Sequence, residues 1–181
     1  MNRREALELL KSTLKNERLL KHSLAVEACM REIARKFGED EEKWGLAGLL
    51  HDLDYEITKE DFPRHGFVTA EILKEKGVDE EIMDAIKAHP GHIPLTTRMG
   101  KALYAVDPLT GLIVASALMH PKKSLEYVDV QFVLNRFKEK SFARGANREQ
   151  IRSCRELGLT LEEFVEICLI AMKKIHKELG L

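Results

Sequence analysis

Apolar residues recur along this chain at helical intervals and almost nowhere at the alternating interval of a strand. Leu7, Leu10 and Leu14 share one face of a first predicted helix. A second spans Asn16 to Phe37 with Leu20, Leu24, Ala28 and Ile33 facing inward, and Gly38 stops it. Asp40 caps a third, Glu41 to Leu50, which buries Trp44, Leu46, Ala47, Leu49 and Leu50. The stretch DYEITKEDFP reads as a loop. Asp61 then caps a helix with Pro63 in its first turn and Gly77 at its end. Asp79 caps a short helix carrying Ile82, Ala85 and Ile86, which ends before Pro90-Gly91. Thr97 opens a helix through Met99, Leu103 and Val106, which Pro108 breaks or restarts. The nearly all-apolar run from there to Met119 should be central. Beyond His120-Pro121, helices are predicted near Asp129–Lys138, Asn147–Leu157 and Thr160–Leu179, the last opened by a Thr160/Glu163 capping box. The YVDVQF alternation is the only rival for a strand.

Composition narrows the class without changing that picture. A chain of 181 residues suits one domain with a real core. Hydrophobic residues make up 44% and charged ones 33%, a folded rather than a disordered composition. The net charge of -1 favours neither nucleic acid nor an anionic membrane as a partner. The charged, amphipathic N-terminus does not read as a signal peptide. The longest apolar run, LTGLIVASALM, has about half the length of a membrane span and reads as a buried helix. Cys29, Cys154 and Cys168 form no CxxC pair, which suggests core thiols in a reducing, cytoplasmic setting.

The chemistry concentrates in histidines and aspartates. His22, His51, His65, His89 and His92 all precede the central apolar helix; Asp52 follows His51, and Asp107 ends the helix begun near Thr97. Burying such groups is unfavourable unless they are paired or bind metal. Convergence on one metal site would satisfy them together, and imidazoles with carboxylates suit zinc, iron, manganese or nickel. A carboxylate can bridge two ions; two ions about 3.5–4 Å apart could hold a hydroxide and clamp a phosphate. Spacing alone leaves a second reading open, in which Asp52 and Asp107 cap helices and the histidines are partly buried hydrogen-bonding residues.

The set H…HD…D resembles the HD superfamily of metal-dependent phosphohydrolases, an all-helical family. Its diagnostic residues stand here as His22 in KHSLAVE, His51-Asp52 in GLLHDLD and Asp107 in LYAVDPL. Members with two-metal sites add two histidines, matched by His65 in RHGFVTAEIL and His89 in DAIKAHPG. The order is similar to that of the family's bacterial diadenosine tetraphosphate hydrolases, whose HAPVGA-like, IRYHT-like and LYLAD-like segments fall at these places. The resemblance implies an HD-domain, PDEase-like helical bundle, with the metal core at 16–120 and a helical extension at 121–181. It implies one or two ions (iron, manganese, zinc, nickel or magnesium), Asp52 as the bridging carboxylate, and activated water as nucleophile. One ion would take His22, His51, Asp52 and Asp107; the other would take Asp52, His65 and His89. The substrate would be a small phosphorylated compound, a nucleotide above all. Tyr55 stands where the tetraphosphate hydrolases and the HD-GYP cyclic-dinucleotide phosphodiesterases carry a lysine, GYP is absent, and Glu56 is one place late for the family's single-metal nucleotidases. The C-terminal third looks like a subgroup of small HDIG-type proteins. Such a chain could also be a metal- or nucleotide-binding sensor without turnover.

Phosphate and substrate contacts are harder to locate. Lys101, which has a counterpart in the two-metal relatives, and Arg18, one turn before His22, are candidates for cations near the reacting phosphate; each could equally be a surface residue. Arg144 and Arg148 flank Gly145-Ala146-Asn147 and either reach over the pocket as bidentate phosphate ligands or sit in solvent at a helix start. Tyr55 stacks beside a base or fills its loop. His92 is a substrate donor or a loop residue. Asp54 orients a water or a ligating histidine, or is a cap or a solvated carboxylate after the helix. The basic segments NRFKEKSFAR and MKKIHKE carry no nucleic-acid docking motif.

Overall fold

A computed structural model describes all residues, 1–181. It is helical throughout, with no strand. Eleven α-helices follow in order: α1 (Arg3–Thr13), α2 (Glu17–Phe37), α3 (Glu41–Leu50), α4 (Tyr55–Thr58), α5 (Phe67–Glu75), α6 (Glu80–Ala88), α7 (Arg98–Met119), α8 (Val130–Lys138), α9 (Arg148–Arg152), α10 (Leu161–Lys174) and α11 (His176–Leu179). The long helices α2 and α7 pack on each other at the centre; α3 and α6 lie to one side, and α8 to α10 to the other. One connected apolar core runs from Ala6 to Leu179, so the C-terminal helices share it with the N-terminal ones.

Several helix starts are written in the sequence. Asp40 accepts from the backbone N–H groups of Glu42 and Lys43, Asp79 from Glu81, and Asp129 from Phe132. The Thr160/Glu163 capping box forms. The YVDVQF alternation forms no strand; it ends a 3-10 turn at Tyr127 and supplies the cap and first turn of α8.

Other expectations need correction. The inward face of α2 is rotated: Ala25, Val26, Cys29, Met30, Ile33 and Ala34 are buried, while Leu20, Leu24 and Ala28 are only half-buried. The stretch DYEITKEDFP is not plain loop but holds α4 and a 3-10 turn at Phe62–Arg64. Asp61 caps nothing with its side chain, and α5 begins later, at Phe67. The last helix breaks at Ile175 into α10 and α11.

Pro108 does not break α7, which runs unbroken for 22 residues. Proline lacks the N–H that would bond the carbonyl of Tyr104, one turn earlier. Gln150 on α9 supplies the missing donor, its Nε2 lying 3.1 Å from that carbonyl oxygen. The continuous helix is long and apolar enough to cross a membrane by length and composition, unlike the half-length run expected from the sequence. Met99, Leu103, Val106, Leu109 and Ile113 are all fully buried, so its apolar face is used by the core.

Candidate metal centre

Helices α2 and α3 meet almost backbone to backbone. A Cβ on Gly48 would lie 2.9 Å from Glu27 Cα and 2.9 Å from the Val26 carbonyl oxygen. That approach brings His51, the C-cap of α3, to His22 on α2, with their Nε2 atoms 3.2 Å apart. Asp107 of α7 reaches the same point, its Oδ1 3.0 Å from His22 Nε2 and 3.8 Å from His51 Nε2. Asp52 presents Oδ2 to this group at 3.6 Å from His22 and 3.4 Å from His51.

The other oxygen of Asp52 faces a second group. Its Oδ1 lies 3.2 Å from His65 Nε2 and 3.5 Å from His89 Nε2, and those two nitrogens are 3.2 Å apart. Ligands about 2.0–2.2 Å from an ion stand about 3–3.5 Å from each other. The Asp52, His65 and His89 group has that spacing; the group of His22, His51, Asp52 and Asp107 is a little wider, from 3.0 to 3.8 Å, and Asp52 stands between the two.

The outer ring nitrogens fix the orientation. His51 Nδ1 donates to Gly48 O at 2.8 Å, and His89 Nδ1 to Ile86 O at 2.6 Å. His65 Nδ1 donates to Asp54 Oδ1 at 2.8 Å. Thr110 gives its hydroxyl proton to the Asp107 carbonyl and so accepts from His22 Nδ1 at 3.2 Å. With the Nδ1 protons directed outward, four Nε2 lone pairs converge on two small volumes beside carboxylates. Such an array is repulsive unless protons or metal ions fill it.

Electrostatics agree. Burial alone would lower the pKa of His51, but the Asp52 carboxylate outweighs it and raises it to about 9. His65 is likewise buried, and its bonds to Asp52 and Asp54 lift it to about 9. Burial opposes ionisation of Asp52, yet His51 and the neighbouring imidazoles hold its carboxyl well below the usual range. Asp107 is lowered against its burial by His22, while burial pushes His89 down. The cluster therefore favours positive charge at its centre, and its all-nitrogen-and-oxygen donor set fits one or two divalent ions.

Asp54 is fully buried and has two tasks. It anchors His65, and its Oδ2 accepts from the backbone N–H groups of Gly66 and Thr69, each at 2.9 Å. This caps α5, whose own N-cap is Gly66. Gly66 has φ 82°, and a Cβ there would meet Ile86 O at 2.7 Å, the same carbonyl that orients His89. Asp54 thus orients a histidine and caps a helix at once, and it is not a solvated carboxylate.

A cleft of about 330 Å³ opens over the centre; Tyr55 and Gln150 are its only polar wall residues besides five of the six histidines and aspartates. The Tyr55 ring stands edge-on to His65 at 5.6 Å. None of the expected cations lines this cleft. Lys101 pairs with Glu156 at 3.6 Å. Arg148 is held by backbone carbonyls, including Phe137, Ala143 and Ala146. Arg18 lines an adjoining cleft, and Arg144 is exposed on a loop whose neighbours Ala143 and Gly145 border the centre. His92 lies outside, its Nε2 donating to Phe62 O at 3.0 Å. Gln150 and Thr110 went unnoticed in the sequence. The signal for Gln150 was the carbonyl that Pro108 leaves open; Thr110, three residues after Asp107, gave none.

Residues 19–126 match the HD domain family. The chain belongs to this family. It is 33% identical over 96 residues to a ribonuclease Y of Nitratidesulfovibrio vulgaris, covering 53% of this chain but 18% of that protein. It is 32% identical over 128 residues to a symmetrical bis(5'-nucleosyl)-tetraphosphatase of Bacillus subtilis, covering 59% of this chain and 68% of that one. A ribonuclease Y of Campylobacter curvus is 37% identical over 91 residues, 50% of this chain and 18% of the relative. The chain thus spans about a fifth to a quarter of the length of the ribonucleases it matches. An HD domain with its histidines and aspartates clustered in this way points to a metal-dependent phosphohydrolase, and two groups of ligands could hold one or two ions.

Proposed function

We propose that this protein hydrolyses a phosphoester or phosphoanhydride bond in a small nucleotide or related phosphate compound. The observation that carries this is Asp52 presenting one oxygen to His22 and His51 and the other to His65 and His89. When bound, divalent ions there lower the pKa of water and offset charge on the phosphoryl oxygens. His22, His51, Asp52 and Asp107 would hold one ion, and Asp52, His65 and His89 the other. Asp54 and the Gly48 and Ile86 carbonyls keep the imidazoles in the ligating orientation. The wall of this cleft carries no lysine or arginine, so Tyr55 and Gln150 are the polar groups that would meet the reacting phosphate beside the ligands.

The tetraphosphatase relative, matched over most of its length, supports a nucleotide polyphosphate. The ribonuclease relatives raise RNA as a second substrate class, but the shared part is a small share of those proteins. A reducing, cytoplasmic setting is proposed with it, supported by three buried free thiols.

The test uses protein loaded anaerobically with manganese or iron(II). Mononucleotides, a dinucleoside polyphosphate and a short RNA are offered, and the products are identified. Release of phosphate or a nucleotide, abolished in Asp52→Ala together with metal retention, is expected. Full metal content with no turnover on any of them would leave a sensor; preferential cleavage of RNA would replace the nucleotide assignment.

A further inference from the structure

A second cleft joins the metal centre at His22. It lies between α2, α7 and α11 and has a volume of about 510 Å³, larger than the cleft over the ligands. Volumes of about 300–1,000 Å³ are usual for small-molecule sites. Arg18, Lys21, His22 and Ala25 line it from α2, at helical spacing, and Gly111, Val114 and Leu118 line it from α7. Leu179, Gly180 and Leu181, the last residue of the sequence with its carboxylate, close it at the end of α11, and no acidic side chain lines it. Half of its lining residues are hydrophobic, and Arg18 and Lys21 are its cations.

Gly111 sharpens the case. Glycine inside a helix is less favourable than alanine by about 1 kcal/mol. Here no packing demands it, because a Cβ at this position would meet nothing within 4 Å. Yet Gly111 lines both this cleft and the passage beside Asp107. A side chain would narrow the connection between the metal centre and the apolar walls.

We propose that this cleft is the subsite for the nucleoside of the substrate, with Arg18 and Lys21 facing the anionic chain that links it to the reacting phosphate. The proposal rests on the phosphohydrolase reading and adds what the substrate must carry: an apolar, ring-bearing group next to its phosphates. It also gives Arg18 a place one step removed from the ions.

The experiment compares two non-hydrolysable probes on metal-loaded full-length chain, the methylene-bridged analogue of ADP and methylenediphosphonate. They share the phosphorus groups and differ by the nucleoside. The nucleoside probe should bind at least about tenfold more tightly to the wild type. Gly111→Leu, which fills the passage, and Leu118→Asp, which puts a charge on the apolar wall, should each cut that ratio to within about twofold. Leu118 is 55% exposed, so its variant tests the cleft even if Gly111→Leu does not fold. Equal affinity of the two probes for wild type, or an unchanged ratio in Leu118→Asp, overturns the proposal. A Leu118→Asp variant that turns a dimer into a monomer and leaves the ratio alone would make this face an interface between copies instead. Turnover without nucleoside preference defeats only the subsite; nucleoside preference without turnover on any phosphate defeats only the hydrolase reading.

Discussion

Replacing Asp54 by asparagine changes almost no volume and separates two parts of the centre. The carboxylate gives Oδ2 to two backbone N–H groups at 2.9 Å and Oδ1 to His65 Nδ1 at 2.8 Å. An amide has one oxygen and one NH2. The backbone donors of Gly66 and Thr69 are fixed, so the oxygen stays with them and the NH2 faces His65. Two donors cannot meet. His65 must then move its proton to Nε2, the atom that faces Asp52 Oδ1 at 3.2 Å, and it stops being a ligand. Loss of such an orienting partner lowers metal affinity about 10–100-fold. That is about 1.4–2.7 kcal/mol. The group of His22, His51 and Asp107 does not touch Asp54 and should keep its ion. Stability should fall by about 2 kcal/mol, because hydrogen bonds to a charged group exceed those to a neutral one. Metal content per chain, measured by plasma mass spectrometry after gel filtration at falling free manganese, should show the weaker-bound ion lost first. An Asp54→Asn protein with wild-type affinity for both ions, or one that loses the ion at His22 instead, would refute the tautomer argument.

Three further outcomes follow from the same geometry. Gly48→Ala forces a Cβ to 2.9 Å from the α2 backbone, which should destabilise the fold by about 1–3 kcal/mol and weaken metal binding by parting His51 from His22; a wild-type melting temperature and metal affinity would contradict this. Gln150→Ala leaves the Tyr104 carbonyl open only while Pro108 is present, so it should cost about 1 kcal/mol in the natural chain and little in Pro108→Ala; a double-mutant cycle by denaturant unfolding that finds no coupling removes the compensation. In chelated protein His51 and His65 have pKa values raised from 6.5 to about 9, so they contribute stability that is complete below pH 6.5 and lost as pH rises through about 9. The melting temperature of the chelated form should fall over that interval and that of the manganese form should not, since an ion then replaces the protons; equal pH profiles would count against metal at these histidines.

The helix order was legible because caps are local: Asp40, Asp79, Asp129 and Thr160 each act within their own first turn. The face of α2 differs from the expected one because Leu20 and Leu24, though large and apolar, are only half-buried, while smaller Ala25, Cys29 and Ala34 are buried. Pro108 misled for a related reason. Its defect is repaired by a residue on another helix, 46 positions from Tyr104, and no local rule contains that. The cap of α5 likewise comes from Asp54, outside its own helix.

The same distinction separates the ligands from the substrate contacts. An imidazole or carboxylate in an apolar segment stands out in a sequence, because burying it without a partner is unfavourable. That mark picked out the histidines, His92 among them, with Asp52 and Asp107; the resemblance to the HD superfamily selected His22, His51, Asp52, His65, His89 and Asp107, and those six converge. Lysines and arginines carry no such mark, since most lie at the surface whatever they do. Arg148 illustrates the difficulty: the glycine-containing loop beside it suggested a reach over the pocket, whereas its guanidinium gathers the carbonyls of residues 137, 143 and 146 and holds that loop closed. What binds substrate is better sought in residues whose presence the fold does not require. Gly111 is one, a helix-weakening residue over open space beside the ligands, and it marks the cleft where the protein's selectivity is open to measurement.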